Sequence, residues 1–320
     1  MAFETETVLD RRRLRRRLSW WRALAVIAAL ALIGVAALST RDGAVFGSKQ
    51  IARVSLEGLI TEDRDQLRML QKIAKSDRVA AVIVFVNSPG GTTTGGEALF
   101  DALRKLAAVK PVVAQFGTVA TSAAYIAGLA TDQIVARGNT ITGSVGVIFQ
   151  WAEFSQLLDK VGVKVNEVKS GPLKANPSPF QPLDAEGKAV AEQMVSESQK
   201  WFVGLVASRR HIDPKSVTGL EQGRIFSGRE ALTYKLVDQI GGEAEAIKYL
   251  EEVRHIPTGL KVVDWKPKRE DGWGLTSLAT RAIGTLINLR GQGGLVGVLA
   301  PGVRTLQLDG LVSIWHGSEN

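Results

Sequence analysis

Strand-like and helix-like stretches alternate along this sequence in the order of an α/β fold with a parallel sheet, and three observations lead there. Residues 79–86 are almost wholly apolar and β-branched, the pattern of a strand covered on both faces. Residues 95–108 follow as a helix that places Ala98, Leu99, Ala102, Leu103 and Leu106 on one face. Residues 111–116, 121–130 and 133–136 then repeat strand, helix and strand, the crossover series that parallel neighbours require.

Before that series, residues 51–56 read as a strand closed by Glu57-Gly58, and 67–73 as a short amphipathic helix with apolar positions 67, 70 and 73. After it, residues 185–209 read as a long helix with Val190, Met194, Phe202, Leu205 and Val206 broadly on one face, expected to pack into the core. Arg209-Arg210-His211 at its end suits the negative pole of the helix dipole. From residue 258 the composition shifts to tryptophans, Gly- and Leu-rich patches and few charges. Residues 279–289 carry Ile283, Leu286 and Ile287 at helical spacing, suited equally to a membrane surface or a neighbouring subunit. Residues 291–302 are expected to be flexible. The stretch 306–315 has two readings: an edge strand, or a terminal segment that enters an active site as a peptide ligand.

Composition removes several chemistries. The 320 residues contain no cysteine, so disulfides, thiolate nucleophiles and Cys-ligated metals are excluded. His211, His255 and His316 lie in unrelated contexts without ligand spacing, which leaves little for a metal or a histidine-based triad, and no cofactor is expected. Of the net charge of +8, residues 1–22 supply +4, seven arginines against Glu4, Glu6 and Asp10. Charge so placed, directly before an apolar run, reads as topology information for a membrane and not as a nucleic-acid footprint.

That run, residues 23–40, is free of charge. Counted from Trp20, with Trp21 and Arg22, the stretch to residue 40 is 21 residues, about 31 Å of helix at ~1.5 Å per residue, the thickness of a hydrocarbon core. A retained anchor is favoured over a cleaved signal peptide, for which Ala36, Ala37 and Ser39 would suit processing. The expected organisation is a cytoplasmic arginine-rich segment (1–22), a transmembrane helix (23–40), a linker (41–50), a catalytic domain (51–254) and a C-terminal extension (255–320). The arginines place the N-terminus in the cytoplasm and the body across a bacterial inner membrane, so the lipid bilayer is an expected partner.

Two local features bear on chemistry. Ser122 stands where the strand 111–116 passes into a helix of small residues, beside unpaired N–H groups and a positive dipole end. It is a helix cap or a nucleophile. Gly90-Gly91, after the buried strand, is a plain bend or a pair of oxyanion donors. Neither G-x-G-x-x-G nor G-x-x-x-x-G-K-[ST] occurs, so nucleotide binding has no support.

Five motifs in order carry a resemblance: Asn87-Ser88-Pro89-Gly90-Gly91; Ala120-Thr121-Ser122 with Tyr125; Thr142-Gly143-Ser144-Val145-Gly146-Val147; Val168-Lys169-Ser170-Gly171-Pro172-Leu173-Lys174; and Gly223-Arg224-Ile225-Phe226-Ser227-Gly228-Arg229-Glu230-Ala231, ending in Leu236-Val237-Asp238 and Gly241-Gly242. Over residues 51–249 the chain resembles the short form of the signal peptide peptidase A family, membrane-bound bacterial serine proteases. The resemblance implies a ClpP/crotonase-like fold, a repeated β-β-α spiral with parallel sheets behind one transmembrane helix. It implies Ser122 as nucleophile and Lys174, 52 residues later, as general base, with Ser144 orienting the lysine. Backbone N–H groups of Gly90 or Gly91 and of Ala123 would hold the oxyanion. Substrates would be hydrophobic peptides, such as signal peptides left in the membrane after secretion. Because this chain has one copy of a pattern that long members carry twice, the resemblance also implies a homo-oligomeric ring or dome. Its Ser-Lys dyad would be shared between subunits. Lys174 lies in a proline-bounded stretch whose nearest acids are Glu167 and Asp184, so a desolvated, neutral amine is expected there. Departures are minor: Ala123 and Ala124 stand where many relatives have glycines, and Ala130-Thr131-Asp132 where they often have Ala-Ala-Asp or Cys-Ala-Asp.

Two other functions remain as alternatives: a crotonase-like acyl-CoA enzyme, and a non-catalytic membrane scaffold of the same fold. The export-type anchor and the serine–lysine pair speak against the first, and the intact Ser122, Lys174 and glycines against the second.

Overall fold

The computed structural model describes residues 20–30, 49–268 and 311–314. It divides into two units, residues 1–48 and 49–320. In the first, residues 20–30 form a helix (α1). Among the described residues no helix is long and apolar enough to cross a membrane. Residues 31–40, the second half of the expected anchor, lie outside them, as do 279–289 and 291–302.

The second unit is built on a mostly parallel sheet. β1 (Gln50–Ile60) lies between β9 (Lys261–Trp265) and β2 (Val79–Thr92), β2 pairs with β3 (Val112–Thr121), and β3 with β4 (Gln133–Ala136) and β5 (Ile141–Gly143), all parallel. β8 (Gln239–Ile240) extends β4 in parallel, whereas β7 (Ile225–Ser227) pairs antiparallel with β5. Residues 261–265, assigned from the sequence to the C-terminal extension, are thus a strand of this sheet.

Alternation along the central strands explains the burial. Val82, Val84 and Val86 of β2 and Val112, Ala114 and Phe116 of β3 join the larger core under α2 (Arg64–Lys75), α3 (Thr93–Ala107) and α4 (Ala123–Leu129). Ala81, Ile83, Val113 and Val135 face a second cluster with Ala246 and Leu250 of α7 (Glu243–Glu252). A strand covered on both faces has to be apolar throughout, which is the pattern residues 79–86 display.

Strand ends differ from expectation. β1 runs on past Glu57-Gly58 through a bulge, with Gly58 at φ 69°, and β2 runs straight through Asn87–Gly91 where the sequence indicates a turn. Both extensions exist because the two strands pair with each other that far, Leu59 opposite Gly90 and Ile60 opposite Gly91. β3 likewise continues to Thr121.

The long helix α6 (Ala185–Arg210) is as expected in extent but not in packing. Phe202 and Val206 are buried, while Val190 and Met194 in its first half are exposed. That half leaves the core together with the preceding stretch, 150–184, whose short helix α5 (Ser155–Lys160) buries nothing. Arg209 at the end of α6 serves another helix. Its guanidinium donates to the carbonyls of Leu129 (2.7 Å) and Thr131 (3.0 Å) beyond the end of α4.

Candidate active site

Ser122 joins β3 to α4 in a backbone conformation that L-residues avoid, φ 60° and ψ −123°. Such a conformation costs about 1–3 kcal/mol and persists only where its surroundings enforce it. Here the Ser122 N–H donates to the carbonyl of Gly143 (2.9 Å) and its own carbonyl accepts from Ile126 N–H (3.0 Å). The residue is fully buried, and its side chain makes no capping bond to the helix. Capping, one of the two sequence readings, is therefore not what the hydroxyl does.

Beside Ser122 the sheet forks. β3 pairs with β2 up to Ser88 opposite Ala120. Beyond that point the same edge of β2 is taken by β10 (Leu311–Ile314), antiparallel, with Ile314 opposite Gly90, Ser313 opposite Gly91 and Val312 opposite Thr92. The other edge of β10 pairs with β6 (Ile148–Phe149), again antiparallel. The slot between β2 and β6 thus begins two residues from the serine and holds an extended segment. Of the two readings of 306–315, an edge strand or a peptide in the site, the structure gives an inner strand.

The glycines shape this slot. Gly90 has φ 110°, which only glycine adopts readily, and its N–H is donated to Ser88 Oγ (3.1 Å). Gly91 lies so close to β1 that a Cβ there would stand 1.8 Å from the carbonyl oxygen of Ile60. Ala123 opens α4, where N–H groups have no acceptor within the helix. Thr121 Oγ1 donates to the carbonyl of Pro89 (3.0 Å), tying the glycine end of β2 to the serine's own strand.

Ser144 follows β5 with φ 51° and is nearly buried; its N–H donates to the carbonyl of Arg224 (2.9 Å). Lys174, in contrast, is exposed, so the desolvated amine expected from the sequence is not formed within one chain. Its two nearest acids are engaged elsewhere: Glu167 pairs with Lys169 at 2.6 Å, and Asp184 accepts from Asn176 Nδ2 (3.1 Å) and Gly187 N–H (2.6 Å). Among the described residues no group of His, Asp and Glu side chains is placed to hold a metal.

Residues 104–256 match the model of peptidase family S49, and residues 40–139 that of the Clp protease family. The chain is 32% identical over 266 residues to "Putative protease MJ0651" of Methanocaldococcus jannaschii, covering 78% of this chain and 85% of that one. The chain belongs to peptidase family S49. It is also 33% identical to "Putative signal peptide peptidase SppA" of Enterococcus faecium, over 68% of this chain and 67% of the relative. With "Serine protease SPPA, chloroplastic" of Arabidopsis thaliana it shares 28% identity over 61% of this chain and 29% of the relative. The resemblance carried by the five motifs is thereby established, and with it a ClpP-like α/β protease.

Of the side chains that sustain this S49 site, Asn87 and Tyr125 belong to the motifs quoted above, whereas Gln199 carries no signal of its own in the sequence. Asn87 Oδ1 accepts the N–H groups of Thr118 (3.1 Å) and Val119 (3.2 Å), holding β3 in line where its pairing with β2 shifts register. Gln199 of α6 donates through Nε2 to the carbonyls of Val145 and Glu221 (3.1 Å each), while its Oε1 is buried without a hydrogen-bond partner. It borders a cavity of about 380 Å³ lined also by Ser144, Val147 and Ile148. Tyr125, fully buried, donates its hydroxyl to the carbonyl of Leu236 (2.8 Å), and burial pushes its phenol far above the usual range, so it remains a donor. The contacts themselves span up to 111 residues of sequence, so the roles of Asn87 and Tyr125, unlike their presence in the motifs, are not visible locally.

Proposed function

We propose that this S49 peptidase is a membrane-anchored serine endopeptidase that cleaves hydrophobic peptides, such as signal peptides, by a Ser-Lys dyad. The observation that carries the reading is Ser122: strained, buried, uninvolved in capping, and placed where a strand enters between β2 and β6. Strain at a non-glycine residue beside a peptide-sized slot is a mark of a preorganised nucleophile. Ser122 Oγ attacks the scissile carbonyl and expels the amine, leaving an acyl-enzyme that water then hydrolyses to release the acid and restore the serine hydroxyl. Lys174 takes the hydroxyl proton and returns it to that amine. The oxyanion is held by the N–H groups of Gly91 and Ala123; Gly90, whose N–H is already donated to Ser88, supplies the positive-φ backbone beside it. Ser144 orients the lysine.

Because Lys174 is exposed in its own chain and Ser122 is buried, the lysine comes from a neighbouring copy in a ring or dome. The stretch that bears it supports this reading, since it exposes Trp151, Phe154, Leu157, Val161, Val168 and Leu173. A monomer seldom leaves so many apolar side chains together in water. Residues 23–40 anchor the chain, with the N-terminus cytoplasmic and the catalytic unit on the far side of a bacterial inner membrane.

A lysine accepts a proton only in its neutral form, so cleavage should rise into the alkaline range. Rates for a hydrophobic fluorogenic peptide, measured across pH with the full chain in detergent, test this. A rate that falls above neutrality with the protein still folded would exclude lysine as the base.

A further inference from the structure

We propose that the rim of the catalytic unit formed by α2 and residues 265–268 binds anionic phospholipid headgroups and so holds the unit against the bilayer. Its centre is a cavity of about 540 Å³ lined by Arg68, Met69 and Lys72 of α2 and by Trp265, Lys266 and Lys268. One carboxylate, Asp65, also lines it, and that group pairs with Arg68 at 2.7 Å. Lys72, Lys266 and Lys268 are exposed and make no ion pair among the described residues. Asp264, the acid beside them on β9, is held by Arg53 (2.6 Å). The cavity is therefore cationic, with an apolar wall.

The sequence of α2 extends the charge beyond the cavity. Arg64, Arg68, Lys72 and Lys75 recur at steps of four, four and three, so these exposed cations share one face of the helix. Met69, Leu70 and Ile73 bury the other. Lys266 and Lys268 lie far along the chain and reach this face because β9 pairs with β1. Like charges gathered in this way repel, and an anion lodged between them removes the repulsion. A lipid phosphate would meet the cations, and the carbons next to it would meet Met69 and Trp265, an indole being well suited to a membrane interface. Each cation brought near an anionic lipid surface adds about fivefold to binding.

The position of the rim favours a lipid over a soluble anion. Among the described residues β9 pairs with β1 alone, so α2 and the residues after β9 border the sheet. The chain also enters the unit here. Gln50 pairs with Lys261 at the start of β9, and its N–H donates to the carbonyl of Arg78 (2.8 Å), three residues past α2. Residues 23–40, proposed above as the anchor, precede this entry along the chain. The choice of a lipid rests on that reading; the anion chemistry does not, and Ser122 and Lys174 play no part in it.

The test uses the full chain in nanodiscs of phosphatidylcholine, with or without about 30% phosphatidylglycerol, and reads amide hydrogen exchange. Phosphatidylglycerol should slow exchange about tenfold in α2 and at residues 264–268. Salt at about 0.5 M should abolish that protection, because it cuts the screening length to about 4 Å. A protein carrying Lys72→Gln, Lys266→Gln and Lys268→Gln together should also lose it. Its melting temperature and its cleavage of a soluble peptide in neutral detergent should stay unchanged, as for most surface substitutions. Equal exchange in the two kinds of nanodisc, or full protection in the triple variant, would overturn the proposal. Inorganic phosphate added to phosphatidylcholine nanodiscs should give no protection; protection equal to that by phosphatidylglycerol would identify a soluble anion and overturn the lipid assignment. Failure of the anchor reading looks different: the chain would not stay with nanodiscs of phosphatidylcholine alone.

Discussion

Ser122→Ala should lower kcat by about four orders of magnitude while leaving the fold unchanged. The size follows from losing the attacking atom, since nucleophile knockouts in serine proteases remove nearly all of the covalent route. The fold should survive because the hydroxyl caps nothing, and alanine meets the same backbone strain that serine already bears. Lys174→Ala should cost about 10²–10⁴ in kcat, the usual worth of a positioned general base. Lys174→Arg should not rescue it, because a guanidinium does not give up its proton in water. Lys174 is exposed in its own chain, so neither change should move the melting temperature of the single unit by more than about a degree or two, as for most surface substitutions. Steady-state kinetics on peptide substrate, with thermal melts of the same samples, separate these effects. Equal activity in either alanine variant would remove that residue from the mechanism.

The second large effect concerns folding. Gly91→Ala should destabilise the protein by about 3 kcal/mol or more, the upper range of overpacking costs. A Cβ at this position would lie 1.8 Å from the Ile60 carbonyl oxygen and 2.5 Å from its carbon. Both are backbone atoms of a paired strand, so no rotamer change relieves the clash. For a unit of this size the melting temperature should drop by roughly 6–12 °C. Activity should fall as well, because β1 and β2 have to separate where Gly91 holds its donor. Gly58→Ala is the control. Unlike Gly91 it sits at positive φ (69°), on β1, and a Cβ there meets nothing within 4 Å, so only strain of about 1 kcal/mol applies. Equal melting temperatures for the two variants would show that the close approach of β1 and β2 is not as described.

The sheet was legible because its central strands are buried on both faces, and a run such as Val82-Ile83-Val84 has few other uses. Helix positions followed from apolar spacing. Strand ends were not legible. Pro89-Gly90-Gly91 has the composition of a turn, and it continues as strand only because β1 on one edge and β10 on the other pair with it. Those partners lie about 30 and 220 residues away. The inner position of Leu311–Ile314 depends on the same remote pairing.

For the site, the types of residue were readable and their setting was not. Ser122 lay at a strand–helix junction in the sequence, but its strain and its idle capping geometry are tertiary facts, set by Gly143 and Ile126. Lys174 could be singled out only through the family motif. Within one chain it is exposed, and under the shared-site proposal the surface that would bury it belongs to another copy. Val190 and Met194 likewise look like core positions on a helical wheel and are exposed here.

The central claim is that serine and lysine meet across subunits, and mixing tests it most directly. Ser122→Ala and Lys174→Ala proteins, each inactive alone, are co-assembled in detergent, with assembly verified by differently tagged chains. If the dyad is shared, mixed rings contain interfaces in which intact Ser122 faces intact Lys174. Cleavage should then return to about a quarter of the wild-type rate at equal mixing, since one interface in four joins the two intact residues when copies combine at random. No recovery in verified mixed assemblies would contradict the shared site and place both residues of the dyad within one chain.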